Sequence, residues 1–476
     1  MSDMTDLGEV VKWIPGAKLV GNGVTGFTRV TTDTRALAQG DLFVALKGER
    51  FDANDLLAEA KARGAVAAIC HANASPGLSV ADLPRIEVHD TRLALGSLAA
   101  AWRVRLDLPL VAVAGSNGKT TVTQMIASIL TVYKPQAMLA TQGNLNNDIG
   151  VPLTLLRLRA THEVAVVELG MNHPGEMAYL TAMTRPTVAL VNNAQREHLE
   201  FMSTIEAVAR ENGTVIQCLG KTGVAVFPAD DVFSSLWRTF ANQRAVLTFA
   251  VDPLTGSVIS ADVSCKLPVW SAGAWHVRAM TPAGALDYAL HVAGLHNVKN
   301  SLAAIACALA AGVPLNVIAQ GLEAFKPVKG RSRALSLHMG AHSCTVVDDT
   351  YNANPDSVRA AIDVLAGLPG PHLLVLGDMG EVGEQGPQFH EEVGDYARQK
   401  GIETLFTLGS LSVSASQKFG RGRHFANVEE LNSAVLVAWP LAGSVLVKGS
   451  RFMKMERVIE ALVATTQQNK EASHVI

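Results

Sequence analysis

The chain has 476 residues, 48% of them hydrophobic and 17% charged, with a formal net charge of -3. That length suggests about three domains, and the near-neutral balance gives no global basic field to hold nucleic acid. The acidic opening MSDMTDLGEV has no secretory pattern, and the longest apolar stretch, SLAAIACALAAG, is too short to span a membrane.

The first region runs to about residue 88. Its apolar runs DLFVAL and AVAAIC flank a helical pattern, DANDLLAEAKARG, and predict a small α/β unit without a nucleotide loop. The next run, Pro109 to Ala114, reads as a strand buried on both faces of a parallel sheet. After Lys119, Val122, Met125, Ile126, Ile129 and Leu130 recur at helical spacing. Between strand and helix stands GSNGKTT, which departs from the usual phosphate-loop spelling. The first glycine of that spelling would fall at Val113, and the chain instead places it at Gly115. Strand, glycine turn and helix start still make an anion site, because free N–H groups and the helix dipole converge there. Gly115, Ser116, Asn117, Gly118, Lys119, Thr120 and Thr121 are therefore the expected triphosphate cradle. Lys119 would reach the outer phosphates and Thr120 would ligate magnesium.

Further along, EVAVVELG (163–170) and TVALVNNA (187–194) are buried-strand patterns ending in polar residues. Glu168 closes the first, where a carboxylate can hold magnesium directly or through water. His198 follows the second and could touch a metal or the reacting carboxylate, although a lone histidine is more often structural. A β-rich stretch from about 222 to 292 precedes the helix HNVKNSLAAIACALAAG. Its Asn297 and Asn300 share a face, and their amides match an adenine edge; helix capping by Asn297 is the plainer alternative. Near PVKGRSRA a third region begins, with Arg331 in the link, placed to reach a transferring phosphate on closure. CTVVDD, HLLVLGD and SVLVKGS predict a second open α/β sheet. One of Asp348 and Asp349 could accept from ribose hydroxyls, and adjacent strand positions keep them from acting as an acid/base pair. Lys448 and Arg451, in VKGSR, suit a carboxylate ligand. The pair His338 and His342 sits in a predicted hairpin that does not place both rings on one face. Cys70, Cys218, Cys265, Cys307 and Cys344 form no CxxC pair, which suits a reducing cytoplasm.

Together these stretches resemble the Mur ligase family. GSNGKT is similar to the family's own short phosphate loop. More discriminating are QGNLNNDIGVPLTLL, VVELGMNHPGE, VNNAQREHLE, GLHNVKNSLAA, VDDTYNANPDSV, LGDMGEVGEQGPQFH and LVKGSRFMKME, with TDTRALAQGDLFVALKGERFDAND near the N-terminus. The resemblance implies an α/β protein of three domains: a UDP-sugar-binding domain over 1–88, a phosphate-loop ATPase domain over 89–328 and a Rossmann-like domain over 329–476. It implies a monomeric cytoplasmic enzyme of peptidoglycan synthesis that uses ATP and magnesium. YNANP and GDMGE point to the branch that joins D-alanyl-D-alanine to UDP-N-acetylmuramoyl-tripeptide.

By family position, Thr120, Glu168 and His198 would surround metal. Lys119, His198 and Arg331 would serve the chemistry. Asn297 and Asn300 would face adenine, and Asp349 the ribose. Thr34 and Arg35 would lie near the uridine diphosphate, and Asn144 and Asn147 near the sugar end. Asn352, Asn354 and Lys448 are candidates for the dipeptide pocket. One departure stands out. Where many members carry a carbamylated lysine, this chain has Asn212, and Arg210 cannot replace it because a guanidinium stays protonated. Glu211 or a water is then expected to complete the second metal shell. The competing readings are another amide ligase of the superfamily, such as a folylpolyglutamate synthase, and a phosphate-loop switch acting on a partner.

Overall fold

The computed structural model of the protein describes residues 3–72, 82–252, 260–271, 273–339 and 342–472. The N-terminal sheet holds β1 (Lys18–Val20), β2 (Arg29–Thr31), β3 (Asp41–Val44), β4 (Ala65–His71) and β5 (Arg85–Val88), in the order β1-β5-β4-β3-β2. Only the β1 edge runs antiparallel. Every residue of β3 is buried, as its unbroken apolar run requires of a strand covered on both faces.

The central sheet has ten strands. Its middle is β6 (Leu110–Ala114), flanked in parallel by β7 (Val164–Glu168) and β8 (Val188–Val191). Period-two geometry divides β6 between two cores. Val111 and Val113 face α1 (Lys119–Tyr133) and α4 (Leu295–Ala310). Leu110, Ala112 and Ala114 pack in the other core, with α2 (Glu176–Thr184) and α3 (Ile205–Gln217). Val122, Met125, Ile126, Ile129 and Leu130 of α1 are fully buried. At roughly 1.5–3 kcal/mol each as an upper bound, this face outweighs helix propensity in holding α1 in place. The expected β-rich stretch extends the same sheet, ending in antiparallel strands that include the hairpin Ala274–Thr281 and Gly284–Leu290.

A third sheet of six strands contains β9 (His342–Asp349), β10 (His372–Gly377) and β11 (Ser444–Lys448), with β11 between the other two. Its strands are parallel except for the edge hairpin Arg333–Met339 with β9. There Met339 pairs with His342 and His338 with Ser343, so His338 and His342 lie on opposite faces. Helices α5 (Pro355–Ala366) and α6 (Gly386–Gln399) cover the face nearest the central domain. Because β6, β7 and β8 are adjacent and parallel, their carboxyl ends deliver the phosphate loop, Glu168 and Asn192–Asn193 to one crevice. Ligands gather at that edge of open α/β sheets.

The helix Leu315–Glu323 crosses α1 at Gly321, where a Cβ would lie 2.3 Å from the Ile129 Cα. Gly321→Ala is therefore expected to push the helices apart and cost about 1–3 kcal/mol. A urea-unfolding midpoint equal to that of the parent chain would contradict this close crossing.

Candidate active site

A cavity of about 940 Å³ opens where the central and C-terminal domains meet. Gly115 and Gly118 hold the phosphate loop at φ +125° and +82°. A Cβ at Gly118 would lie 2.7 Å from Asn300 Oδ1, and one at Gly115 would lie 2.9 Å from the Asn192 backbone nitrogen, so both positions need glycine's freedom and its lack of bulk. The loop is gripped from the end of β8. Asn193 accepts from the backbone N–H of Ser116 through its carbonyl (3.1 Å) and of Asn117 through its side chain (2.9 Å). The Asn192 amide donates to the Asn117 carbonyl at 2.8 Å. In sequence these two asparagines looked only like polar residues ending a strand.

Asn212, deep in α3, completes the grip: its Oδ1 accepts from the Gly115 N–H at 3.0 Å. Its amide nitrogen is buried without a hydrogen-bond partner. The expectation for Glu211 is corrected. One position earlier, it faces about 100° away around the helix, and its carboxylate caps α2 by accepting from Gly175 N and Met177 N, both at 2.9 Å. It is committed to a helix start and does not face the phosphate loop.

Glu168 is almost wholly buried. Its Oε1 accepts from Thr120 Oγ1 at 3.1 Å and from the Asn146 amide at 2.8 Å, while Oε2 is buried with no hydrogen-bond partner. An unsatisfied buried carboxylate oxygen is costly. Beside a threonine hydroxyl it forms the hard-oxygen donor set that magnesium prefers, so the residues present fit that ion. The Asn146 amide orients Glu168, and nothing local in the sequence separates Asn146 from its neighbours Asn144 and Asn147.

Lys119 is three-quarters or more covered and bound to both oxygens of Glu197, at 3.0 and 3.3 Å, and to the Ser116 carbonyl. Glu197 also faces His198 Nε2 at 3.5 Å, and His198 Nδ1 lies 2.5 Å from Glu381 of the C-terminal domain. Burial alone would push the imidazole down; the two carboxylates outweigh it and raise its pKa to about 9. Burial likewise opposes the charge on Glu197, but Lys119 and His198 hold its carboxyl below the usual range. The two carboxylates therefore favour the imidazolium, and His198 would have to shed that proton before it could hold a metal. His198 stands at φ +52°, a left-handed conformation uncommon outside glycine, although histidine adopts it more readily than most residues.

The remaining candidates divide. Asn297 and Asn300 are buried on the cavity wall, the amide of Asn300 donating to Asn297 Oδ1 and Asn192 donating to Asn300 Oδ1. Gly294, rather than Asn297, holds the N-cap position of α4; the Asn297 amide reaches back to the Ala293 carbonyl. Arg331 lies on the wall with its guanidinium 3.9 Å from the centre of the Tyr351 ring. Lys448 is bound to Asp349 Oδ2 at 2.6 Å and to the Asn352 carbonyl, so lysine and aspartate form one buried pair at the wall. Asn354 caps α5 and also bonds Asn117, which ties the C-terminal domain to the phosphate loop. Asn144 and Asn147 also line the cavity, and Asn147 accepts from Gly150 N. Thr34 and Arg35 are not on its wall: Thr34 is buried, and Arg35 is exposed and paired with Asp33.

A phosphate loop on one α/β domain, closed over by a second α/β domain, defines a nucleotide-dependent enzyme whose site forms between domains. Family models match at three places: "Mur ligase family, catalytic domain" at residues 27–103, "Mur ligase middle domain" at 113–308 and "Mur ligase, glutamate ligase domain" at 335–451. The chain is 40% identical over 464 residues to the UDP-N-acetylmuramoyl-tripeptide--D-alanyl-D-alanine ligase of Escherichia coli (strain K12), covering 97% of this chain and 98% of that one. It is 39% identical to the Haemophilus influenzae ligase of the same name, over 94% and 96% of the two chains. A crystal structure of MurF from Acinetobacter baumannii superposes with a TM-score of 0.85 at 34% identity, covering 96% of this chain and 97% of that one. The chain belongs to the Mur ligase family. Among the described residues no helix is long and apolar enough to cross a membrane.

Two outcomes follow from this geometry. Asn212→Ala removes the acceptor of Gly115 N–H and is expected to cost about 1–3 kcal/mol in loop stability, read as weaker nucleotide binding by calorimetry; unchanged affinity would free the loop from α3. By NMR, His198 should titrate near pH 9 in the empty protein, against an ordinary value of 6.5. Since its pKa is raised on folding, its contribution to stability is full below about 6.5 and is lost as pH rises through 9. A midpoint at or below the ordinary value would remove the Glu197–His198–Glu381 chain.

Proposed function

We propose that this chain joins D-alanyl-D-alanine to UDP-N-acetylmuramoyl-tripeptide in peptidoglycan precursor synthesis, converting ATP to ADP and phosphate in the cytoplasm. The observation that carries this reading is end-to-end similarity to ligases of that name, with an intact phosphate loop facing a second domain. A carboxylate is a poor electrophile, so its oxygen first takes the terminal phosphoryl group of ATP. The amine of the dipeptide then attacks the acyl carbon, loses a proton, and phosphate leaves with the former carboxylate oxygen.

The phosphate loop supplies backbone N–H groups and the helix start to the triphosphate. Lys119 and Arg331 stabilise the charge that builds on the transferring phosphoryl group and on the tetrahedral intermediate. To do this Lys119 must exchange Glu197 for phosphate. Thr120 and Glu168 would hold magnesium, which supplies charge neutralisation at the phosphates, and His198 would reach it once deprotonated. Asn297 and Asn300 take the adenine edge. Asp349 takes the ribose, held in place by Lys448. Asn144 and Asn147 meet the sugar end of the substrate, and Asn352 and Asn354 lie toward the dipeptide. Thr34 and Arg35 remain our candidates for the uridine diphosphate, on a domain that does not wall the main cavity. The enzyme works without a carbamylated lysine at position 212, where Asn212 fastens the loop as a neutral amide; a water completes any second metal shell.

Phosphate release is measured with ATP, magnesium, UDP-N-acetylmuramoyl-tripeptide and D-alanyl-D-alanine, then with each substrate left out. Release should need both substrates and yield the pentapeptide by mass; release independent of the dipeptide would sink the reading. Lys119→Ala should lower kcat by ~100–1,000-fold or more with circular dichroism unchanged. Undiminished release by that variant would take the loop out of the mechanism.

A further inference from the structure

The loop after β8 carries Gln195, Glu197 and His198 onto the cavity wall, but Arg196 is turned away from the cavity. Its guanidinium reaches the C-terminal domain, where Nε and Nη2 donate to Asp356 Oδ1 at 3.1 and 2.6 Å. Nη1 and Nη2 donate to Glu392 Oε2 and Oε1 at 2.7 and 3.0 Å. The backbone N–H of Arg196 adds a bond to Asp356 Oδ2 at 2.9 Å. The group lies 5.3 Å from the centre of the Phe389 ring, and Arg359 donates to the same Glu392 at 3.0 Å. Asp356 stands in the first turn of α5 and Glu392 in α6. Two cations and two carboxylates balance only while the loop is docked. Little of the Arg196 side chain is exposed (18%), so this pairing is better shielded than a surface ion pair. Only a planar fork with five donors can serve both carboxylates at once.

We propose that Arg196 is a positioning residue for the ligase reaction. It fastens the loop bearing Glu197 and His198 to the C-terminal domain, and so fixes the arrangement in which Arg331, Asp349 and Asn354 face the phosphate loop. It touches no substrate itself and acts through domain placement. Further links join these parts: His198 with Glu381, Asn117 with Asn354, and the Glu200 N–H donating to the Glu381 carbonyl at 3.4 Å; each joins one residue to one other, whereas Arg196 joins two helices of the C-terminal domain at once. The proposal rests on the ligase reading for its kinetic consequence and on geometry alone for its structural one.

The full-length Arg196→Met, Arg196→Lys and Asp356→Asn variants, and the Met/Asn double variant, test it. Arg196→Met should lower kcat by about tenfold or more, with Arg196→Lys recovering part of the loss. The double variant should lose little more than the worse single one, because both break the same contact. Solution scattering with a non-hydrolysable ATP analogue should show Arg196→Met more extended than the parent chain. A kcat within about twofold of the parent, or additive losses in the double variant, overturns the proposal. If the parent chain releases no phosphate with both substrates, the ligase reading has failed. The scattering comparison still decides the clasp: equal dimensions overturn it and a more extended variant supports it.

Discussion

A phosphate loop must leave backbone N–H groups pointing at an anion, so it cannot use them all to hold its own shape. In this protein the shape is imposed from outside, by asparagines. Asn192 and Asn193 grip Ser116 and Asn117 from the end of β8, and Asn212 grips Gly115 from α3. An amide is the right group for this task, because it offers donor and acceptor together and carries no charge to compete with phosphate. The rest of the site depends on that grip. It sets where α1 begins, and therefore where Lys119 and Thr120 stand relative to Glu168.

The same requirement explains the carboxylates. Without Glu197, Lys119 would be an unpaired, largely buried cation. Glu197 in turn is shared with His198, and His198 with Glu381. A line of alternating charge thus runs from the phosphate loop to the C-terminal domain. One end of that line is the phosphate-loop lysine and the other a residue of the C-terminal domain. Asn354 and Arg196 run beside it, so domain placement and loop geometry are mechanically joined.

Much of this was legible in the residues. The apolar runs that predicted buried strands became β3, β4, β6, β7, β8, β9, β10 and β11, because an unbroken hydrophobic stretch of that length has few other stable uses. Glycine at 115 and 118 marked a turn that only glycine can take. Glu168 could be singled out because a carboxylate closing an apolar strand is costly unless it is used. Less legible were residues whose role depends on a partner far along the chain. Asn146 sits among several polar neighbours, and nothing local says that it, rather than Asn144 or Asn147, turns toward Glu168. Glu211 and Asn212 are adjacent, and only the rotation of α3 decides that one caps α2 while the other meets Gly115.

The sequence by itself determined the three α/β domains, the phosphate loop and the family, since these rest on local periodicity and on contiguous motifs. Tertiary structure alone decided which polar side chains meet. Arg196 and Glu392 are far apart in sequence, as are Asn117 and Asn354, and a hydrogen bond leaves no periodic trace in either partner. Strand and helix patterns record which face is buried. They do not record which element will lie against that face, and at this site that choice, made by the packing of two domains, decides what Asn117, Arg196 and His198 meet.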